Sequence, residues 1–187
     1  GSLFNFGCGG RAGIEELIRL ANQWGVTAEA IDDVQLDGER ISSTLIRRLL
    51  SKGDFAQVKR CLGREYAIAG EVVHGNELGR RLQMPTANIN LHRKCVPLHG
   101  VYAVKVKTQG GAYYGVANVG LRPTLGTALQ YSLLEVHLLD FAGDLYGQYL
   151  EITFIKKIRD EFKFAGLELL KAQLAKDESA ARLIFSK

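Results

Sequence analysis

The sequence is poor in cysteine and proline, with three of each in 187 residues, and it has no long apolar run. Cys8, Cys61 and Cys95 are widely spaced and form no CxxC pair, which argues against a disulfide framework. We expect reduced, buried or half-buried thiols in a cytoplasmic protein. No stretch approaches the roughly 18 apolar residues that a membrane helix needs, and the amino terminus lacks a secretory pattern, so no membrane partner is expected.

A large excess of charge of one sign is also missing. There are 24 Lys and Arg against 20 Asp and Glu, and the surplus lies in residues 64–107, which hold seven basic and three acidic side chains. Proteins that bind nucleic acid along a broad surface usually carry many more basic residues than this chain does. The distribution therefore favours a site for a small anionic ligand.

Residues 1–63 have the pattern helix, strand, helix, helix. Apolar residues at helical spacing predict a helix over residues 14–24, and Val26 to Val34 is typical of a short strand before a turn at Asp37-Gly38. Two further helices are expected, the first beginning near Ser43, where hydroxyl groups can cap free amides. With too few strands for a sheet of its own, this segment resembles the end of an α/β domain.

Residues 64–187 instead contain short runs rich in Val, Ile, Leu and Tyr, separated by Gly-containing turns. Five or six such strands usually close into a small antiparallel barrel, which removes the exposed edges. Phe164, Leu167, Leu170 and Leu174 share one face of a final helix that we expect to pack on the barrel. The five runs are Tyr66–Val73, Val101–Lys107, Tyr113–Val119, Leu133–Leu139 and Tyr149–Ile155.

Glycine and arginine are concentrated just after the first of these runs. Gly70, Gly75 and Gly79, followed by Arg80 and Arg81, could bring backbone amides and guanidinium groups to an anion. The spacing is not that of the usual GxxxxGK[ST] phosphate loop, so a glycine-rich hairpin remains an alternative.

The segment Pro85-Thr86-Ala87-Asn88 gives a stronger signal. A Thr hydroxyl and an Asn amide two residues apart on an extended strand face the same way. Both offer the hard oxygen atoms that Mg²⁺ accepts when nucleotide phosphates and water complete its coordination. The alternative is a strand with a polar inner face.

Glu135 is a lone carboxylate in an apolar strand. Its side chain alternates with Leu134 and Val136 and shares a face with Leu133 and His137. Glu135 could accept the proton of a substrate hydroxyl, or it could be a surface residue on the solvated face. We expect a structural role for His137.

A series of motifs then follows in a fixed order along the chain. They are His74-Gly75, Leu78-Gly79-Arg80, Pro85-Thr86-Ala87-Asn88-Ile89, Pro97, Gly100-Val101-Tyr102-Ala103, Gly115-Val116-Ala117-Asn118-Val119-Gly120, Arg122-Pro123-Thr124, Glu135-Val136-His137-Leu138-Leu139-Asp140-Phe141, Asp144-Leu145-Tyr146-Gly147, Arg159 and Lys163-Phe164. Taken in this order, they closely resemble the riboflavin kinase module of bacterial bifunctional riboflavin kinase/FAD synthetase. The resemblance runs from about Ile41 to the last residue.

The resemblance implies a mainly β fold, a six-stranded antiparallel Greek-key barrel with a carboxy-terminal helix. It implies an enzyme that transfers the γ-phosphoryl group of ATP to the ribityl 5′-hydroxyl of riboflavin with Mg²⁺, giving FMN and ADP. By position, Thr86 and Asn88 match the family's Mg²⁺ and ATP ligands, and Glu135 matches its catalytic base. Gly75 to Arg81, with Gly79 and Arg80, matches the loop that closes over the nucleotide.

The family also implies a flavin-binding segment, for which Arg159, Phe162 and Phe164 are the candidates here. The sequence departs from the family pattern at Gln83, where the family usually has Gly. This difference affects the expected conformation of the turn before Pro85 but not the expected ligands.

Residues 1–63 resemble the tail of the family's adenylyltransferase domain, so the chain is expected to divide into this remnant and a kinase domain at 64–187. The resemblance rests on Phe4-Asn5-Phe6-Gly7, Gly10-Arg11-Ala12-Gly13 and Ile41 to Arg47. Within it, a vestigial triphosphate site is expected at a helix amino terminus. Its residues are Ser42, Ser43, Thr44 and Arg47. None of the four histidines stands in the family's HxGH motif, so we do not expect FAD synthesis.

Two alternatives remain open. The chain could be an inactive fragment that binds flavin or nucleotide, or a small barrel that binds nucleic acid through aromatic and basic side chains. Tyr113-Tyr114 has no adjacent basic residue, which counts against the second alternative.

Overall fold

The computed structural model describes residues 4–75, 84–91, 96–123 and 130–186. The chain forms two compact units, one ending at Ser43 and the other beginning at Thr44. None of the described helices is long and apolar enough to cross a membrane.

The first unit contains helix α1 (Ile14–Gln23) and a minimal hairpin of β1 (Gln35–Leu36) and β2 (Glu39–Arg40). The expected turn is present, and Asp37 and Gly38 have φ angles of 53° and 79°, as a two-residue hairpin turn requires.

The strand expected from Val26 to Val34 is absent, and the segment has no regular structure. Its β-forming side chains remain in solvent, with Val26 59%, Ile31 76% and Val34 66% exposed. Strand propensity depends on a neighbouring strand and a buried face, and within the described part of this unit the segment has neither. Cys8 is also exposed rather than buried or half-buried, whereas Cys61 is half-buried as expected.

Two helices precede the barrel, α2 (Ser43–Lys52) and α3 (Phe55–Leu62). The Asp54 side chain accepts a hydrogen bond from the amide of Gln57 and so caps α3. Gly63, with φ of 70°, ends it in the left-handed conformation that glycine favours. The sequence predicted both helices.

A closed antiparallel barrel forms the centre of the second unit, with strand order β3-β4-β7-β6-β5-β8. Strands β5, β6 and β7 are consecutive neighbours, and β8 returns beside β5, which is a Greek-key arrangement. This confirms the expected six-stranded barrel. The strands are β3 (Ala67–Val73), β4 (Ala87–Asn90), β5 (Gly100–Thr108), β6 (Gly111–Pro123), β7 (Gln130–Leu138) and β8 (Tyr149–Arg159).

The barrel interior and α3 share one apolar core. The ring of Phe55 on α3 packs edge-on against Tyr102 and stacks on Phe154, with centroid separations of 5.7 and 6.0 Å. The Tyr102 hydroxyl donates to the carbonyl of His99 at 2.7 Å. Burial raises the pKa of Tyr102, which keeps this hydroxyl protonated as a donor.

The final helix, α4 (Leu167–Phe185), packs on the outside of the barrel, as expected. The predicted contact face is only partly right, because Phe164 precedes the helix and Leu167 is 56% exposed. The contact face runs instead through the buried Asp177 and Ala181. Ala181 packs against a second apolar cluster on the outer barrel surface, formed by Val101, Ala103, Val116 and Leu139.

Candidate active site

Three polar side chains lie side by side across neighbouring strands. Asn88 on β4 pairs in register with Glu135 on β7, and Glu135 pairs in turn with Asn118 on β6. Directly opposed residues of antiparallel strands share a face and have Cβ atoms about 5 Å apart. The flanking residues Leu134 and Val136 belong to the interior core, so this row faces outward.

The two candidate metal ligands lie together at the start of β4. Thr86 directly precedes the strand and is half-buried, while Asn88 within it is only 8% exposed. The carbonyl of Pro85 lies 2.8 Å from Nδ1 of His137, which fixes the approach of the chain to Thr86. This contact is consistent with the structural role expected for His137.

Gly75 lies against the side chain of Asn88. A Cβ atom at position 75 would overlap the Asn88 amide group. The backbone that enters the glycine- and arginine-containing loop therefore passes directly over the buried amide. Gly79, Arg80 and Arg81, together with Gln83, lie outside the described residues.

The hydroxyl of Thr86 and the amide oxygen of Asn88 fit Mg²⁺, which prefers hard oxygen ligands. Both are neutral, so they suit a cation whose charge is balanced by nucleotide phosphates. The described residues contain no group of three or more His, Cys, Asp or Glu side chains placed to hold a metal by themselves.

A second carboxylate, which the sequence did not single out, lies beside the row. The Nδ2 of Asn118 donates to Oε1 of Glu161 at 3.3 Å. Oε2 of Glu161 lies 3.6 Å from Nε2 of His99. The Oδ1 of Asn118 is buried and has no hydrogen-bond partner among the described residues. No pattern in the sequence indicated this contact, which joins residues 43 positions apart.

The candidate flavin residues form a cluster after β8. The rings of Phe162 and Phe164 lie 4.6 Å apart, and Phe162 is 48% exposed. The Arg159 guanidinium lies over the Phe162 ring at 4.6 Å from its centroid. Its Nη2 and Nε also donate to the Asp177 carboxylate of α4, at 2.7 and 2.9 Å. Arg159 therefore joins the aromatic pair to the final helix.

The residues of the expected triphosphate site lie at the start of α2. Ser42 directly precedes the helix, and the side chains of Ser43, Thr44 and Arg47 in its first turns are exposed. The phosphate site itself stays a prediction.

The chain is similar to known proteins over almost its full length. It is 47% identical to the bifunctional riboflavin kinase/FMN adenylyltransferase of Pseudomonas fluorescens, covering 98% of this chain and 59% of that protein. The enzyme of the same name from Escherichia coli (strain K12) is 44% identical, with 99% and 59% covered. The chain thus spans about three-fifths of the length of these curated relatives.

A solved structure titled as a macrolide-efflux protein from Streptococcus pneumoniae matches 96% of this chain and 58% of its own, with 32% identity and a TM-score of 0.72. The family profile described as Flavokinase: Riboflavin kinase matches residues 62–185, which include the barrel, the outward-facing row and the aromatic pair. The chain therefore belongs to the riboflavin kinase family.

Proposed function

We propose that this polypeptide transfers the γ-phosphoryl group of ATP to the ribityl 5′-hydroxyl of riboflavin, giving FMN and ADP. The observation that carries the proposal is the register of β4 and β7, which places Asn88 beside Glu135 on the outer barrel face. The proposed nucleotide ligand and the proposed proton acceptor are thus adjacent, as phosphoryl transfer to an alcohol requires.

Glu135 acts as the base in this proposal. Its carboxylate orients the 5′-hydroxyl and takes its proton as the oxygen forms a bond to the γ-phosphorus. The bond from the γ-phosphorus to the bridging oxygen breaks, and that electron pair leaves with ADP. Because the strand fixes Glu135, little reorganisation is needed when the alcohol arrives.

Thr86 and Asn88 hold Mg²⁺ in this proposal, and the ion supplies neutralisation of phosphate charge. The packing of Gly75 against the Asn88 amide supports a close approach of backbone to nucleotide. Gly79, Arg80 and Arg81, which lie outside the described residues, are the proposed phosphate-binding residues. A site that encloses the nucleotide excludes water and so limits hydrolysis of ATP.

The flavin ring binds at the aromatic pair. Phe162 and Phe164 offer apolar surface, and Phe162 is partly exposed and so accessible to a ring. Arg159 uses part of its guanidinium group to bind Asp177. We therefore assign Arg159 the role of holding the Phe162 ring in place for flavin binding.

The packing of the two tyrosines of β6 does not favour nucleic-acid binding. Tyr114 stacks on Phe185 at 4.0 Å, and Tyr113 packs edge-on against Phe141 at 5.1 Å. Each ring therefore packs against another ring of the protein, which reduces the ring surface that is left for stacking on a base. We further propose that residues 1–63 correspond to part of an adenylyltransferase domain and that the chain acts in the cytoplasm.

The direct test is to incubate the 187-residue polypeptide with riboflavin and Mg-ATP and to separate the flavins by chromatography. FMN and ADP in equal amounts are expected, without FAD, because this polypeptide has no HxGH motif. Binding of riboflavin without FMN formation would support the inactive-fragment alternative. Omitting Mg²⁺, or replacing it with Ca²⁺ or Mn²⁺, measures the metal requirement.

Glu135→Gln tests the base. The amide keeps the shape of the side chain but accepts a proton poorly, so kcat should fall by roughly 10² or more while the Kd for Mg-ATP changes little. Glu151→Gln is the matched control, because Glu151 is an exposed glutamate on β8. Near-normal turnover of Glu135→Gln would rule out Glu135 as the base.

A further inference from the structure

The carboxylate of Glu161 is held at a defined place on the outer face of β6. Asn118 donates to one of its oxygens, and His99 lies within ion-pair distance of the other. Glu161 itself belongs to the irregular segment between β8 and α4, so this contact connects that segment to a barrel strand 43 residues away in sequence.

Gly120 provides the space for this carboxylate. A Cβ atom at position 120 would lie 2.5 Å from Oε1 and 3.1 Å from Oε2 of Glu161. The backbone of Gly120 is not in the left-handed region, so conformation does not require glycine there. Glycine at position 120 therefore leaves room for the Glu161 carboxylate.

The contact adds little net stability. The Asn118 amide donates to Glu161 while its own Oδ1 is buried without a partner among the described residues. An unsatisfied buried acceptor costs about 1–3 kcal/mol, which is comparable to what a hydrogen bond to a carboxylate returns. Such exceptions concentrate at functional sites.

The contact also joins the two halves of the candidate site. Asn118 is the register partner of Glu135, and Glu161 directly precedes Phe162. We propose that Glu161 is a positioning residue that sets the separation between the aromatic pair and Glu135, and thereby the length of alcohol-bearing chain that the enzyme accepts. The proposal rests on the flavin kinase function proposed above.

The physical reason is geometric. A flavin ring bound at Phe162 presents a hydroxyl to Glu135 only if the intervening chain spans the gap between the two. Misplacement of a reacting group by about 1 Å can cost on the order of 10² in rate. A fixed distance between Phe162 and Glu135 therefore favours the five-carbon ribityl chain. If the segment that contains Glu161 is less firmly held, shorter and longer chains can also react.

The test uses flavins that carry a terminal hydroxyl on N10 alkyl chains of four, five and six carbons. The wild-type protein should phosphorylate the five-carbon compound with the highest kcat/KM. In Glu161→Ala, the ratio of kcat/KM for the five-carbon compound to kcat/KM for the four- and six-carbon compounds should fall by about tenfold. Glu161→Gln should keep it, since the Gln side-chain oxygen can accept the same bond from Asn118. Gly120→Ala, which displaces the carboxylate without removing it, should behave like Glu161→Ala.

Asp160→Ala is the matched control. Asp160 is the exposed neighbour of Glu161, and a hydrogen bond from Lys157 lowers the pKa of its carboxyl group. Its removal perturbs the same segment but leaves the Asn118 contact intact, so the length preference should persist.

An equal loss of kcat/KM for all three chain lengths in Glu161→Ala would indicate a merely structural role and overturn the inference, as would an unchanged preference. Either result leaves the proposed function standing, provided that the wild-type protein makes FMN. If the wild-type protein makes no FMN, both proposals fail together.

Discussion

At the scale of single residues, the site depends on a glycine and an amide that share one small space. The Asn88 side chain is nearly buried, and Gly75 leaves no room for a side chain above it. Because the amide oxygen is the proposed cation ligand, its orientation is set by the backbone at Gly75 as well as by β4. Changing either residue should disturb the same step, the binding of Mg-nucleotide.

Asn88→Ala and Gly75→Ala should both weaken Mg-ATP binding, by on the order of tenfold in Kd. The first removes the amide oxygen, and the second displaces it, because the new Cβ would occupy its place. Nucleotide titration followed by calorimetry at several Mg²⁺ concentrations measures the effect. Gly110→Ala is the control, since its Cβ would meet only Thr108 Oγ1 at 3.8 Å. An unchanged Mg²⁺ dependence in Asn88→Ala would remove it from the metal site.

The sequence made Thr86, Asn88 and Glu135 recognisable because their chemistry is local. Asn88 and Glu135 are polar side chains within strands and Thr86 directly precedes one, so the period of two already indicated that Thr86 and Asn88 share a face. Glu161 and Asn118 had no such signal. Their contact depends on how the irregular segment after β8 packs against β6, which local sequence does not determine.

At the scale of elements, α4 is attached to the barrel through a buried ion pair. Asp177 is 2% exposed and accepts three hydrogen bonds from Arg159 and a fourth from Gln173 at 2.8 Å. Hydrophobic periodicity could not predict this buried ion pair, because the method assigns an aspartate to the solvent-exposed face of a helix. This is why the predicted face of α4 was only partly right, whereas α1, α2 and α3, whose ends carry glycine or capping residues, were predicted closely.

Asp177→Ala should destabilise the protein by about 3 kcal/mol, because it leaves the Arg159 guanidinium with an unpaired buried charge. It should also lower riboflavin affinity, since Arg159 lies over the Phe162 ring. Urea unfolding and flavin fluorescence quenching measure the two effects. Asp140→Ala is the matched control, because Asp140 lies after β7 and binds Arg182 of the same helix. Asp140 pairs with Arg182, but its side chain is 74% exposed, so little change is expected. Equal effects of the two substitutions would contradict the role of burial.

At the scale of the whole molecule, the barrel was predictable from the five strand-like runs and its closure from the need to remove edges. The sixth strand, β4, is only four residues long and was identified through its motif rather than its pattern. The division of the chain was harder to predict. The expected boundary at residue 63 follows the change from helical to strand-like pattern, and the family match begins at residue 62, whereas the compact units divide after Ser43.

These two boundaries make different predictions for shortened proteins. Leu50 and Val58 are 1% and 0% exposed and belong, with Phe55, to the core that fills the barrel. Loss of one such side chain costs about 2–5 kcal/mol, so residues 64–187 alone should melt far below the full chain or fail to fold. Residues 42–187, which retain the start of α2, should fold and phosphorylate riboflavin at close to the full-length rate. Thermal unfolding and the FMN assay on both shortened proteins provide the comparison. Equal stability of the two would mean that α2 and α3 are dispensable to the kinase barrel.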